Sequence, residues 1–218
     1  MKKFTLFLLM LSVMTLGSCK KFLVEYSQDE MRPSTTEDLA ALMYSEAYPY
    51  LLSIDNFDLL TDDIQSNGLS SVNGVQLASY VSPFTAGTPI FTFDPTMFDA
   101  NNVINAGSNL YQIYYAKVKG CNVIIDQLEK VSGTSKEKNA ILGQCLFLRS
   151  FYFLKIATLY SQCYNGQGVN PETNMGIPLV LSSQVRDGGL KRSTLKETYD
   201  QIEKDLLSAA SLLKDNYT

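Results

Sequence analysis

A mainly α fold is predicted for this chain of 218 residues: a tetratricopeptide-like helical array carrying a long irregular loop region. Three observations predict it. Apolar residues recur at steps of three and four in several stretches, the period of one helix face. Ser/Thr-x-x-Glu capping boxes stand at the start of three of them. Residues 66–109 lose the period, and Asn, Gly, Ser, Thr and Pro recur there instead.

Composition narrows the function classes. The chain carries 18 Lys and Arg against 22 Asp and Glu, a net charge of −4. That acidic balance argues against a nucleic-acid partner, which needs a concentrated basic face. There is no His. Ser–His and Cys–His nucleophile pairs and His-ligated zinc or iron sites are therefore excluded. With 13 Tyr and 11 Phe, aromatic surface is plentiful despite the absence of Trp. A chain of this length buries about 70% of its unfolded surface and needs no disulfide scaffold.

Met1-Lys2-Lys3 and the 13 apolar residues Phe4–Leu16 form a secretory signal, too short for the ~20 residues of a membrane span. Leu16-Gly17-Ser18-Cys19 follows and resembles the lipobox of bacterial lipoproteins. The bland reading is an ordinary signal peptide with an incidental cysteine. The lipobox reading makes 1–18 the signal peptide, Cys19 the acylated N-terminus, 19–33 a tether and 34–218 the helical domain. More than one acyl chain gives a firm anchor where a single one is marginal. The mature charge would be −6, since Lys2 and Lys3 leave with the signal. Cys121, Cys145 and Cys163 remain, an odd number read as free thiols, with Cys121 and Cys145 on apolar stripes.

Ser34-Thr35-Thr36-Glu37 opens a helix over about Thr36–Tyr48 with Leu39, Leu42, Met43 and Ala47 on its apolar face. Asp62-Asp63 could suggest paired acid–base carboxylates, but adjacent residues do not share a helix face, and a solvated turn or cap is expected. Tyr80–Phe98 holds five aromatics in 19 residues. A helix over about Asn109–Val131 follows, its stripe formed by Tyr111, Tyr114, Val118, Cys121, Ile125 and Leu128, with Gly133 as its cap. Thr134-Ser135-Lys136-Glu137 opens another to about Tyr160, apolar nearly all round and so expected at the centre. Asn165–Gly189 reads as a linker interrupted by Ile177-Pro178-Leu179-Val180-Leu181. Thr194-Leu195-Lys196-Glu197 opens the last helix, with Tyr199, Ile202, Leu206, Ala209 and Leu213 buried and Glu203, Lys204 and Asp205 solvated.

Four stretches together carry a family resemblance. They are Leu16-Gly17-Ser18-Cys19 with Phe22-Leu23, and Tyr114-Tyr115-Ala116-Lys117-Val118 running to Cys121-Asn122-Val123-Ile124-Ile125. Next is Gly143-Gln144-Cys145-Leu146-Phe147-Leu148-Arg149-Ser150-Phe151-Tyr152-Phe153. The last is Gly176-Ile177-Pro178-Leu179-Val180 with Arg192-Ser193-Thr194-Leu195-Lys196-Glu197-Thr198-Tyr199-Asp200-Gln201-Ile202. In order and spacing they resemble the N-terminal portion of a SusD/RagB-family protein, with Gln144 where that family favours Glu. The resemblance implies a cell-surface lipoprotein of the outer membrane that binds nutrients, usually glycans, beside a SusC-like TonB-dependent transporter. It also implies a longer parent protein whose helical array continues.

Arg149 on an apolar helix must find a partner, and a structural ion pair is expected before a ligand contact. Tyr80, Phe84, Phe91 and Phe93 could simply pin their loop. The sharper reading makes them a platform for sugar rings, with Asp94, Asn101 and Asn102 binding hydroxyls. No cofactor, metal site or catalytic pair is read, so the leading expectation is a non-enzymatic glycan-capture lipoprotein. A lipid-anchored tetratricopeptide-type scaffold for proteins is the alternative. Glycoside hydrolysis by two carboxylates, which would not need His, lacks an identifiable pair.

Overall fold

A computed structural model describes residues 32–49, 61–63, 71–72, 75–76, 87–97, 110–185 and 188–214. All but Arg32 fall in one compact unit, Pro33–Thr218. Four helices dominate it: α1 (Thr36–Glu46), α2 (Leu110–Gln127), α3 (Ser135–Tyr160) and α4 (Leu195–Leu213). The 3-10 turn Leu128–Lys130 extends α2, and a two-residue hairpin pairs β1 (Ser71–Val72) with β2 (Val75–Gln76). The irregular region also contains a helical turn at 87–91.

Helices α1, α3 and α4 each start where side chains satisfy the orphan N–H groups. On α3, Thr134 accepts from the Glu137 N–H while Glu137 reaches back to the Thr134 N–H, and Thr194 with Glu197 repeats the arrangement on α4. On α1 the box lies one residue later than the sequence predicts. Thr35 is the cap and Asp38 its partner, because the Asp38 carboxylate also collects the Ser34 N–H and hydroxyl. These bonds hold Asp38 below the usual carboxylate range, the Ser34 N–H being the largest cause.

The array is antiparallel. Along α2 and α3 the contacts Tyr111–Tyr160, Tyr114–Tyr152 and Asn122–Arg149 run in opposite chain directions. Along α3 and α4, Arg149 meets Asp205 while Gly143 lies against Leu213. α1 runs alongside α3: Thr36 Oγ1 donates to Glu137, Tyr48 Oη donates to Gln144 Oε1 at 2.7 Å, and Tyr152 Oη donates to the Ala47 carbonyl. Gln144 thus makes a neutral bond from α3 to Tyr48, just past the end of α1. Gly120 lets α2 approach α1, since a Cβ there would lie 2.6 Å from the Glu46 carbonyl oxygen.

The core is one cluster drawn from α1, α2, α3 and α4, including Leu39, Tyr114, Val118, Ile124, Tyr152, Phe153 and Ile156. α3 touches the other three helices, which is the central position its composition predicts. It is long and apolar enough to cross a membrane, but more than half of that stretch is buried within the fold. Three sequence expectations change. Gly133 is not a helix cap, for Val131 takes that place; Gly133 sits at φ +150° where a Cβ would strike Thr36. Leu206 is exposed and Asp205 is buried, the reverse of their predicted sides, because Arg149 draws Asp205 inward. Phe147 and Leu154 lie open on the outer face of α3. Asp62 and Asp63 fall on an exposed turn, as expected.

Candidate functional site: an aromatic loop and a tyrosine groove

Of the residues singled out as functional, Cys19, Tyr80, Phe84, Asn101 and Asn102 lie outside the described residues. Phe91, Phe93 and Asp94 are described. The helical turn at 87–91 ends in two bonds: the Phe93 N–H donates to the Ile90 carbonyl at 3.1 Å and the Asp94 N–H to the Pro89 carbonyl at 2.9 Å. This is the pattern in which the penultimate residue turns left-handed, a position usually given to Gly. Phe93 occupies it, with φ +54° and 60% of its surface exposed. A bulky residue there is strained, and strain of this sort gathers at functional positions. Phe91, two residues earlier, is half-buried. Asp94 accepts from the Thr96 N–H (2.8 Å) and hydroxyl (2.7 Å), which keep its carboxyl below the usual range.

A second feature was not legible in the sequence. The segment 178–183, read as part of a linker, is an extended strap bound along α2. Tyr115 Oη donates to the Pro178 carbonyl and Asn122 Nδ2 to the Val180 carbonyl, both at 2.7 Å. Asp126 accepts from the Ser182 hydroxyl, the Ser183 N–H and the Ser183 hydroxyl. The two lengths agree. Eleven helical residues from 115 to 126 rise about 16.5 Å, and five extended residues from 178 to 183 span the same distance. Partial burial pushes the Asp126 carboxyl up, but the hydrogen bonds led by the Ser183 N–H outweigh it and hold the group ionised below its ordinary value.

Between α2 and the strap lies an open groove of about 480 Å³ lined by Tyr111, Tyr115, Lys119, Val180, Gln184, Leu190 and their neighbours. Tyr111, predicted on the buried stripe, stands at its edge and is 38% exposed. Its ring is braced by Tyr115 at 4.6 Å and, edge-on, by Tyr160 at 5.2 Å. Burial raises the hydroxyl pKa of Tyr115 and of Tyr160, so both remain protonated donors at neutral pH.

Behind the groove wall, Arg149 has the partner its position demanded. Its Nε and Nη2 donate to the two Asp205 oxygens at 2.8 and 2.9 Å, and Nη1 donates to Asn122 Oδ1 at 2.8 Å. Gln201 donates to the same carboxylate. Asn122 therefore links a buried ion pair to the strap. Arg192 secures the other end of that loop: its guanidinium donates to the carbonyls of Tyr160, Gly176 and Met175. The Tyr160 carbonyl belongs to the negative end of α3, where a cation is favoured.

Burial pushes the Cys121 thiol up to about 12 and the Cys145 thiol well above its usual value. Cys163 is exposed. Among the described residues no three His, Cys, Asp or Glu side chains gather as a metal site requires.

Residues 90–218 match the SusD-like family described as "Starch-binding associating with outer membrane". The chain belongs to the SusD-like family. Its fold is that of solved relatives. A SusD-like carbohydrate binding protein from Bacteroides vulgatus matches 85% of this chain with a TM-score of 0.61 at 21% identity. A SusD superfamily protein from Bacteroides thetaiotaomicron matches 82% with a TM-score of 0.51 at 17% identity. The chain spans 37% of the length of each. No curated protein sequence matches it. As a SusD-like fold, the helical array and the strap along it account for the three motif stretches that have described residues: Tyr114–Ile125 on α2, Gly143–Phe153 on α3, and the Gly176–Val180 run with the start of α4.

Proposed function

We propose that this SusD-like chain is a non-catalytic nutrient-binding lipoprotein, acylated at Cys19 and held on the outer membrane facing the cell exterior. It captures an oligosaccharide and hands it to a SusC-like TonB-dependent transporter. The match of residues 90–218 to a family described as starch-binding and outer-membrane-associated carries this reading. The chemistry agrees with it. Capture needs apolar ring faces and hydroxyl partners rather than a nucleophile, and a chain without His offers the former.

Within that reading the loop of Tyr80, Phe84, Phe91 and Phe93 is a sugar platform. Phe93 supports it, since a large ring is held out to solvent on a backbone conformation that costs stability. Phe91→Ala with Phe93→Ala in the full chain, assayed by retention on a panel of oligosaccharides, tests the platform. Weakened retention is expected, and unchanged retention removes the loop from the site.

One observation favours the protein-scaffold alternative: exposed Phe147 and Leu154 lie four residues before and three residues after half-buried Phe151 on the outer face of α3. Affinity capture from outer-membrane extracts separates the readings. Recovery of a large β-barrel with glycan retention supports capture for transport; recovery of other partners with no glycan retention supports the scaffold.

A further inference from the structure

We propose that the groove between α2 and the 178–183 strap is a second saccharide subsite, built from residues other than the aromatic loop. One sugar ring stacks on Tyr111, and hydroxyls further along the same oligosaccharide pair with the Lys119 ammonium and the Gln184 amide. The inference rests on the reading of the protein as a glycan binder and adds a place and a set of contacts to it.

Four observations carry it. The groove holds about 480 Å³, within the roughly 300–1,000 Å³ of small-molecule sites. Its stacking ring is fixed in advance. Tyr111 is braced on two sides by Tyr115 and Tyr160, and the Tyr111 N–H donates to Tyr160 Oη at 3.2 Å, so a ligand orders little on arrival. The opposite wall is fixed as well, by Tyr115, Asn122 and Asp126 along its length.

The charge pattern is the fourth observation. Among the described residues, Lys119 is the only charged one lining the groove. Tyr111, Tyr115 and Lys119 follow at four-residue steps and so share one face of α2. A cation on the same helix face as two tyrosine rings complements a ligand rich in oxygen acceptors.

The wall also argues against a peptide strand as occupant. A strand added to an edge is held by main-chain bonds. Here the Pro178 and Val180 carbonyls and the Ser183 N–H are already engaged by α2 side chains.

The experiment uses the full chain with maltoheptaose and a panel of neutral and uronic-acid oligosaccharides, read by affinity electrophoresis. Three single variants are compared with the parent: Tyr111→Ala, Lys119→Ala and Gln184→Ala. Lys119 and Gln184 are exposed, so their variants keep the fold, which an unchanged thermal midpoint confirms. The expected result is an affinity about two- to tenfold lower in each, the size of an aromatic or single polar contact. Parent affinity in all three variants overturns the subsite while leaving the glycan reading intact. A parent that retains no member of the panel overturns both. Variants that lose capture of a membrane protein but bind sugar as the parent does overturn the subsite in favour of a protein contact.

Discussion

Arg149 on α3 and Asp205 on α4 meet through two parallel hydrogen bonds of 2.8 and 2.9 Å, with both side chains more than nine-tenths buried. A two-point pair of this kind is geometrically specific, and the third donor of the guanidinium goes to Asn122. Removing one partner strands the other charge in the interior, which costs about 3–5 kcal/mol. Arg149→Leu is therefore expected to lower the unfolding free energy by that amount in urea titrations. Arg149→Lys rescues only part of the loss, since an ammonium cannot reproduce the fork. A loss below about 1 kcal/mol for Arg149→Leu would contradict the account.

The clamp of α2 on the strap predicts a local effect with a pH signature. Asp126 has its folded-state pKa lowered, so its contribution is complete above the unfolded value near 3.8 and is lost as pH falls through the lower folded value. Deuterium exchange at the Ser183 amide should accelerate, relative to α3 amides, as pH is lowered through that range and corrected for intrinsic rates. In Asp126→Asn the amide should exchange about tenfold faster at neutral pH and lose the pH step. A step that persists in the variant would assign it to another group.

Phe93 separates stability from binding. Gly at this left-handed position relieves about 1 kcal/mol of backbone strain. Phe93→Gly should leave stability equal or higher while weakening oligosaccharide retention. If Phe93 merely packs its loop, the same change lowers stability and leaves retention alone; thermal unfolding read beside affinity electrophoresis tells the two apart.

The thiols should differ sharply in reactivity. Cys121 and Cys145 are buried and their burial favours the neutral form, whereas the thiolate is the species that reacts. Brief iodoacetamide treatment of the native protein at pH 8, followed by peptide mass spectrometry, should label Cys163 and spare these two. Labelling of Cys145 at a comparable rate would mean that the α1–α3 contact opens readily.

The helices were legible because their signals are local. Thr134 with Glu137 and Thr194 with Glu197 announce α3 and α4 by spacing alone, and the stripe of α2 announces its buried side. What escaped was long-range. Asp205 reads as one of three solvated charges, and only Arg149, 56 residues earlier, turns it inward. The strap escaped for a related reason. Its carbonyls carry no side-chain signature, and the helix residues that bind them, Tyr115, Asn122 and Asp126, show their shared purpose only once 178–183 lies alongside. Tyr111 was placed on the right stripe but at its margin, where a ring is half in the core and half in solvent. Arg149 itself was legible, since its cost in an apolar helix demanded a partner wherever that partner lay.

Capture without conversion is the central claim, and one measurement addresses it most directly. Purified full chain is incubated with a panel of labelled oligosaccharides, and bound ligand and released products are resolved in the same run. The account predicts retention of at least one oligosaccharide, recovered chemically intact. Shortened or otherwise altered sugars in the released fraction, or no retention across the panel, would contradict it.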